Sequence, residues 1–466
     1  MAKATPFSFA YLSEILSSPA IKPLVQRLHP SAVLGALKST FDDMVIELGA
    51  AFGEQRLPDV NDLIERIRAR LENLLEVAEP LVLDARGRVF PNGFERLAPP
   101  AVQEGTWILS EPQSDYSRRQ DAARERDVRL RLTRLAGCES AAVFADCESA
   151  RVAIQHALAL SGRKLVVARR DLFEKEDGSR LEDAFSFFPS LQRREIGACN
   201  SVTLRDYERA IDAETGLVWR AFGRWSQDGR SPLASDVARL KGIDGRSFSI
   251  IGDLEFAPLI DLSDFFDAPI PTVGERLKNG FDLVLCDGAQ LIGGPSCGLV
   301  FGSRSSIDSI LAAPAAPLAK LNRVAYAILA KTLAIYESRD AALESIPPLR
   351  TLSTSLANLQ SRAERLATLL EHCECVQIAR VVEGRAILCP NAVFGTSPTR
   401  IVEVRLRGFS PAEFAAKLET TSPKLLVRWT RDAVHVDMKT LLPEQDIVVS
   451  ELFEQLSRQM EKPAGE

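Results

Sequence analysis

Three periods of apolar and polar residues follow one another along the chain. Residues 1–80 repeat at helical spacing. Leu12, Ile15 and Leu16 open one amphipathic segment, and Val33, Leu34, Leu37, Phe41, Val45, Ile46 and Leu48 carry a second. Leu63, Ile64, Ile67, Leu71, Leu74 and Leu75 carry a third, with Glu65, Arg66, Arg68, Arg70 and Glu72 on its other faces. Pro80 to Pro100 is rich in turn formers, and an arginine-dense helix is expected beyond it. From about residue 137 the period shortens. Ala141–Ala145, Lys164–Ala168, Leu217–Phe222, Phe248–Asp253, Leu283–Cys286 and Leu299–Phe301 are short apolar runs. Helical patterns over Ser149–Leu160, Leu204–Ile211 and Leu233–Leu240 separate several of them. Strands alternating with helices predict an α/β domain with a mostly parallel sheet and helices on both faces. After Arg323 the helical period returns, and strand-like runs at Val376–Val382, Ile401–Leu406 and Leu425–Trp429 precede a last helix over Asp446–Met460. The expected organisation is a helical domain over 1–80, a large α/β domain over 81–330 and a small α+β domain over 331–466.

Composition narrows the function classes. The 466 residues carry a net charge of −6, so nucleic acid would need a local basic patch rather than a general attraction. Residues 1–90 hold 10 Lys and Arg against 12 Asp and Glu, a poor balance for an RNA-binding module. In the helix after residue 114, Arg118, Arg119, Arg124, Arg126, Arg129, Arg131 and Arg134 alternate with Asp115, Asp121, Glu125 and Asp127. Interleaving of this kind marks a solvated or intersubunit face more often than an anion site. Eight cysteines without scaffold spacing suit a reducing compartment, and the pair Cys373 and Cys375 has only His372 beside it, so no metal site is expected. No signal-like or membrane-spanning run is present in the sequence, which predicts a cytoplasmic protein.

The chemistry concentrates in FDLVLCDGAQLIGGPSCGLVFG, from Phe281 to Gly302. Two apolar runs flank a turn with Gly293, Gly294 and Pro295, and an earlier strand, SFSIIGD, ends in Asp253. In parallel sheets ligands sit beyond the strand carboxyl ends, where Asp146, Arg169, Asp253 and Asp287 fall. An acid ending one strand before a strand with a Gly-rich exit is the layout of a pyridoxal phosphate site.

Collinear stretches resemble the bacterial L-seryl-tRNA(Sec) selenium transferase family, which converts seryl-tRNA to selenocysteinyl-tRNA. FAYLSEILSSPAIKPLV resembles the opening helix, GCESAAVFADCESA the start of the cofactor domain, and RRDLFEKEDGSRLEDAF its next strand exit. GDLEFAPLIDLSDF and PTVGERLKNGFDLVLCDGAQLIGGPSCGLVFG resemble the cofactor core, and IPPLRTLSTSLANLQSRAERLATLL and VHVDMKTLLPEQD the C-terminal domain. The resemblance implies the aminotransferase-like fold type I, pyridoxal phosphate as cofactor, tRNA as a partner and a homo-oligomer. It places the pyridinium partner at Asp253, the phosphate turn at Asp146 and Ser149 with Gly293 and Gly294 nearby, and substrate contacts at Arg169, Arg180 and Arg323.

The departures fall on the chemistry. Against a family pattern of S-G-D-K-x-x-G-G-P, this chain has Asp287 for the Ser, Ala289 for the Asp and Gln290 for the Schiff-base Lys. A carboxamide forms no imine. The family's N-N-N-A-A phosphate turn becomes Asp146, Cys147, Glu148, Ser149 and Ala150, and its G-G-G-S-x-P element is not evident between Val382 and Ser397. Three functions follow: a divergent paralogue without Schiff-base catalysis, an active selenium transferase using another residue, or a non-catalytic tRNA-binding module.

Overall fold

A seven-stranded sheet organises the larger part of this computed structural model, which describes residues 15–27 except 17, 33–43 except 34 and 42, 60–77, 82–89, 97–110, 114–158, 164–186 except 173 and 175–179, 191–222, 239–241, 248–267 except 255, 270–388 and 395–460. The expected positions Leu12, Leu34, Val45, Ile46 and Leu48, and most of the helix expected over 233–240, lie outside the described residues. The chain divides into two units. One is Met1–Leu83 with Glu419–Leu425, and the other is Asp84–Leu418 with Leu426–Glu466. In the first, α1 (Val60–Val77) buries Leu63, Ile67 and Leu71 against Ile15, Ile21, Val33, Ala36 and Leu37. Those three fall four residues apart on one helix face, as the spacing predicts.

In the second unit, α2 (Pro99–Ser110) and the arginine-dense α3 (Asp115–Ala136) precede the sheet. Then come β1 (Ser140–Phe144), α4 (Cys147–Leu158), β2 (Lys164–Ala168), β3 (Gln192–Ile196), β4 (Thr215–Phe222), β5 (Ser249–Leu254), β6 (Leu283–Asp287) and β7 (Gly298–Gly302). The spatial order is β1-β7-β6-β5-β4-β2-β3. Pairing is parallel from β3 through β2, β4 and β5 to β6, and antiparallel where β7 joins β6 and β1. The mostly parallel α/β architecture is therefore present. One strand escaped the sequence pattern: β3 reads QRREI, with its first three residues exposed. It is an edge strand, where charge is tolerated and blunts association with other strands.

Alternation along the strands builds two cores. On one face Phe144, Trp219, Ile251, Leu285 and Val300 pack under Ala150, Ala153 and Ile154 of α4. On the other, Val166, Val218, Ile250, Val284 and Phe301 pack with Val128 and Leu132 of α3 and with Leu329 and Leu333 of α5 (Arg323–Ile335). The same alternation aims Asp253, two residues after Ile251, toward the α4 face.

Later in this unit α6 (Leu356–Glu371) and α7 (Gln445–Met460) accompany a second, antiparallel sheet. Its β8 (Val376–Ile387) and β9 (Thr396–Leu406) form a long ribbon, and β10 (Val434–Asp437), absent from the sequence expectation, pairs with β9.

Candidate functional site

Three segments meet at the carboxyl ends of β1, β5 and β6. The first is the turn that opens α4. Asp146 is its N-cap: its Oδ1 accepts the Ser149 N–H at 2.6 Å, while Ser149 Oγ donates to the Asp146 carbonyl at 3.0 Å. One of the free amide donors that a helix start offers to an anion is thereby used by the chain's own carboxylate. Glu148, in the first turn, faces the positive helix end as acids commonly do.

The second segment is the end of β5. Asp253 is 5% exposed and accepts three hydrogen bonds. Arg151 Nε donates to Oδ2 at 2.6 Å and Nη2 to Oδ1 at 3.0 Å, a two-pronged guanidinium–carboxylate pair. Trp219 Nε1 adds a bond to Oδ2 at 3.1 Å from the neighbouring strand β4. Arg151 also pairs with Glu148 one turn back, Nη1 to Oε2 at 2.5 Å. Burial works against the Arg151 charge, but the Asp253 carboxylate, and then Glu148, outweigh it and hold the guanidinium well above its ordinary pKa. Neither Arg151 nor Trp219 figured among the expected site residues. Arg151 had a signal: it stands on the buried side of α4 with Ala150, Ala153 and Ile154, where a charge requires a partner.

The third segment is the exit from β6. Asp287 Oδ1 accepts the Ala289 N–H at 2.7 Å, and the Ser296 hydroxyl lies 3.4 Å from its Oδ2. The chain then turns so tightly that Gly293 and Gly294 N–H donate back to the Ala289 and Gly288 carbonyls, at 2.8 and 2.9 Å. Gly293 has φ +69, and a Cβ there would lie 2.3 Å from Ile346 Cγ2. A Cβ on Gly294 would crowd the Gly288 carbonyl at 3.0 Å and Leu329 at 3.1 Å. The Tyr336 hydroxyl anchors the loop by donating to the Ile292 carbonyl at 2.9 Å. Gln290 lies within this loop, and its Oε1 is buried with no hydrogen-bond partner among the described residues. The first and third segments adjoin. Burial pushes the Cys147 thiol up, and the Asp287 carboxylate is the next largest cause, so Cys147 stays protonated although it begins a helix.

The three arginines expected at the substrate stand on other segments. Arg169 follows β2, two strands from β5 in the sheet. It is half exposed, and donates to the Gly197 carbonyl at 2.5 Å. Arg180 is exposed and bonded to Glu174 at 2.8 Å. Arg323, the first residue of α5, lies 3.4 Å from Asp121. It lines a cavity of about 470 Å³ beside the end of β1, with Arg118, Glu125, Lys320 and Tyr326. Of the seven α3 arginines, Arg124 is engaged on Asp121, Arg131 on Asp127 and Glu337, and Arg129 on the Ala141 carbonyl, while Arg118, Arg119, Arg126 and Arg134 are exposed.

A pyridoxal phosphate would need an acceptor for its ring nitrogen, free N–H donors for its phosphate and an amine for its aldehyde. Here both oxygens of Asp253 already hold Arg151, the Ser149 N–H holds Asp146, and no lysine occurs between Lys278 and Lys320. The residues as arranged do not fit the group. Among the described residues no cluster of His, Cys, Asp and Glu could hold a metal ion, and no helix is long and apolar enough to cross a membrane.

A family model described as L-seryl-tRNA selenium transferase matches residues 106–442. The chain belongs to that family. A curated relative named L-seryl-tRNA(Sec) selenium transferase, from Hyphomonas neptunium, is 28% identical over 469 residues, covering 96% of this chain and 97% of its own. One of the same name from Geobacter sulfurreducens is 26% identical over 461 residues, covering 95% and 97%. Among solved structures, a D-glucosaminate-6-phosphate ammonia-lyase matches with a TM-score of 0.60 at 15% identity, over 83% of this chain and 98% of that one, a likeness of fold. The architecture is fold type I, as the resemblance implied.

Proposed function

We propose that this selenium transferase family member does not perform lysine Schiff-base catalysis, and that it acts as a cytoplasmic non-catalytic or atypical paralogue. The observation that carries this reading is Gln290 in the β6 exit loop, at the place where the family pattern has its lysine. An amide nitrogen is not nucleophilic and does not gain or lose a proton near neutral pH, so Gln290 supplies neither the imine nor the base. The nearest lysines stand on other segments than the β6 exit loop: Lys320 lines the cavity beside the end of β1, and Lys331 stands mid-way along α5.

What the segments do is bind one another. Asp146 closes the helix start, Arg151 neutralises Asp253, and Asp287 fixes the turn before Gln290. Four carboxylates, Asp146, Glu148, Asp253 and Asp287, stand on these segments, and Arg151 pairs with Glu148 and Asp253. Asp146 and Glu148 at the start of α4 disfavour a phosphate there.

The family's substrate class gives the non-catalytic role its content: a transfer RNA of the seryl-tRNA(Sec) type, held without conversion by a homo-oligomer. The test has two arms. Purified protein is given seryl-tRNA(Sec), pyridoxal phosphate and a reduced-selenium donor, the tRNA product is assayed, and a parallel sample is reduced with borohydride and mapped by mass spectrometry. No selenocysteinyl-tRNA and no lysine adduct are expected; either product would overturn the proposal. Salt-dependent binding of the same tRNA, without turnover, would identify the retained role as tRNA recognition.

A further inference from the structure

We infer that the cofactor crevice of this chain is filled from within: the Arg151 guanidinium occupies the carboxylate of Asp253 in place of a protonated pyridine nitrogen, and the protein holds its fold without pyridoxal phosphate. The inference deepens the reading above and rests on it for the family assignment, but it concerns a different residue and a different property. Gln290 removes the covalent bond to a cofactor. Arg151 removes the place for its ring.

The chemistry of the substitution is close. A pyridinium ring is flat and cationic, and offers one N–H to the carboxylate. A guanidinium is flat and cationic, and offers two. Arg151 therefore satisfies Asp253 more completely than the ring nitrogen would, and the Trp219 indole N–H takes a further lone pair on Oδ2. The plug is also fixed at its root. It projects from the second turn of α4, whose Ala150, Ala153 and Ile154 are packed on the sheet, and Glu148 steadies its remaining nitrogen. A cofactor entering the crevice would have to break a buried two-pronged ion pair and leave Arg151 without Asp253. It would also have to bring a phosphate beside Asp146 and Glu148. An isolated guanidinium at such a site is costly, so the exchange runs against the cofactor.

The test is a pyridoxal 5′-phosphate titration of four full-length proteins: the unaltered chain, Gln290→Lys, Arg151→Ala and the double variant. It is followed by visible absorbance and Trp fluorescence, with borohydride trapping at the end. The unaltered chain and Gln290→Lys are expected to show no saturable binding and no adduct, because restoring an amine does not empty the crevice. Arg151→Ala is expected to bind at least about tenfold more tightly than the unaltered chain, and the double variant to give a reducible adduct at position 290. Saturable, adduct-free binding by the unaltered protein overturns the inference and leaves the absence of Schiff-base chemistry standing. An adduct on a native lysine overturns the earlier reading instead. Trapping by Gln290→Lys alone also overturns the inference, and this arm decides even where Arg151→Ala does not fold. Arg151→Ala with an unchanged circular dichroism spectrum and no gain in binding overturns it as well.

Discussion

The loop that leaves β6 and the turn that opens α4 border the same crevice, and they are held by opposite means. The loop is held by shape. Gly293 adopts a backbone conformation that side chains rarely take, Ile346 fills the space where its Cβ would be, and Gly294 lies against a carbonyl. The turn is held by charge: Asp146 on a backbone amide, Arg151 between Glu148 and Asp253. A fold can therefore keep the backbone frame of a cofactor site for reasons of packing while its polar groups are committed to each other. Retained glycines report on the frame. The polar residues report on the chemistry.

The largest effect expected from breaking this contrast is at Arg151. Removing it leaves Asp253 buried and unpaired, and equilibrium urea unfolding should show a loss of about 3–5 kcal/mol. Replacing both partners with apolar residues, as in Arg151→Met with Asp253→Leu, should recover most of that loss, because the cost lies in the orphaned charge. A single substitution costing under about 1 kcal/mol would mean that the pair is hydrated and does not fill the crevice.

Gly293 comes second. Gly293→Ala places a Cβ into Ile346 and forces alanine to φ +69, so a loss of about 2–3 kcal/mol is expected. Ile346→Ala, alone and in the Gly293→Ala background, separates the two causes: the cost of Gly293→Ala that persists in the Ile346→Ala background is backbone strain, and the part that disappears is the clash. If Gly293→Ala proves neutral, the loop is not held by shape, and its glycines need another explanation.

How much of this was legible in the sequence follows the same division. The frame was: β1, β2, β4, β5, β6 and β7 follow from short apolar runs, and the loop from its Gly-Gly-Pro. The charged edge strand β3 was not, because an exposed edge needs no apolar alternation. Asp253, Asp146 and Gln290 were found as positions, but Arg151 and Trp219, the partners of Asp253, were not. Arg151 lies 102 residues from Asp253, and no local pattern pairs residues at that separation. The clue available was an arginine on the buried side of an otherwise small and apolar helix face, which says that an acid faces it without saying which. Arg169 and Arg323 were placed by resemblance at strand and helix ends. The sheet order sets Arg169 two strands from β5, and Arg323 lines a cavity beside β1 with Asp121 as its partner.

A smaller effect tests whether the turn and the loop adjoin. A cysteine at a helix start is ordinarily activated, with a pKa below the usual value of about 8.5. Burial, and then Asp287, push Cys147 the other way. At about pH 8, iodoacetamide should modify the exposed Cys199 while Cys147 reacts at least roughly tenfold more slowly in the folded protein. Asp287→Asn should speed labelling of Cys147 without unmasking it fully, since burial is the larger cause. Equal rates at the two thiols would place Cys147 in solvent and separate the turn from the loop.

The smallest effect belongs to the residue on which the functional reading turns. Gln290 Oε1 is buried and accepts no hydrogen bond from the described residues, so its polarity contributes nothing there and carries a desolvation cost. Gln290→Leu should be neutral to stabilising, by up to about 1 kcal/mol in the urea midpoint. A loss above about 2 kcal/mol would show the carboxamide holding a group, and the loop would then be charge-held like the turn. Arg151→Ala and Gln290→Leu thus change neighbouring parts of one crevice with opposite expected signs. That contrast is what separates a site closed by its own ion pair from one that has only lost its nucleophile.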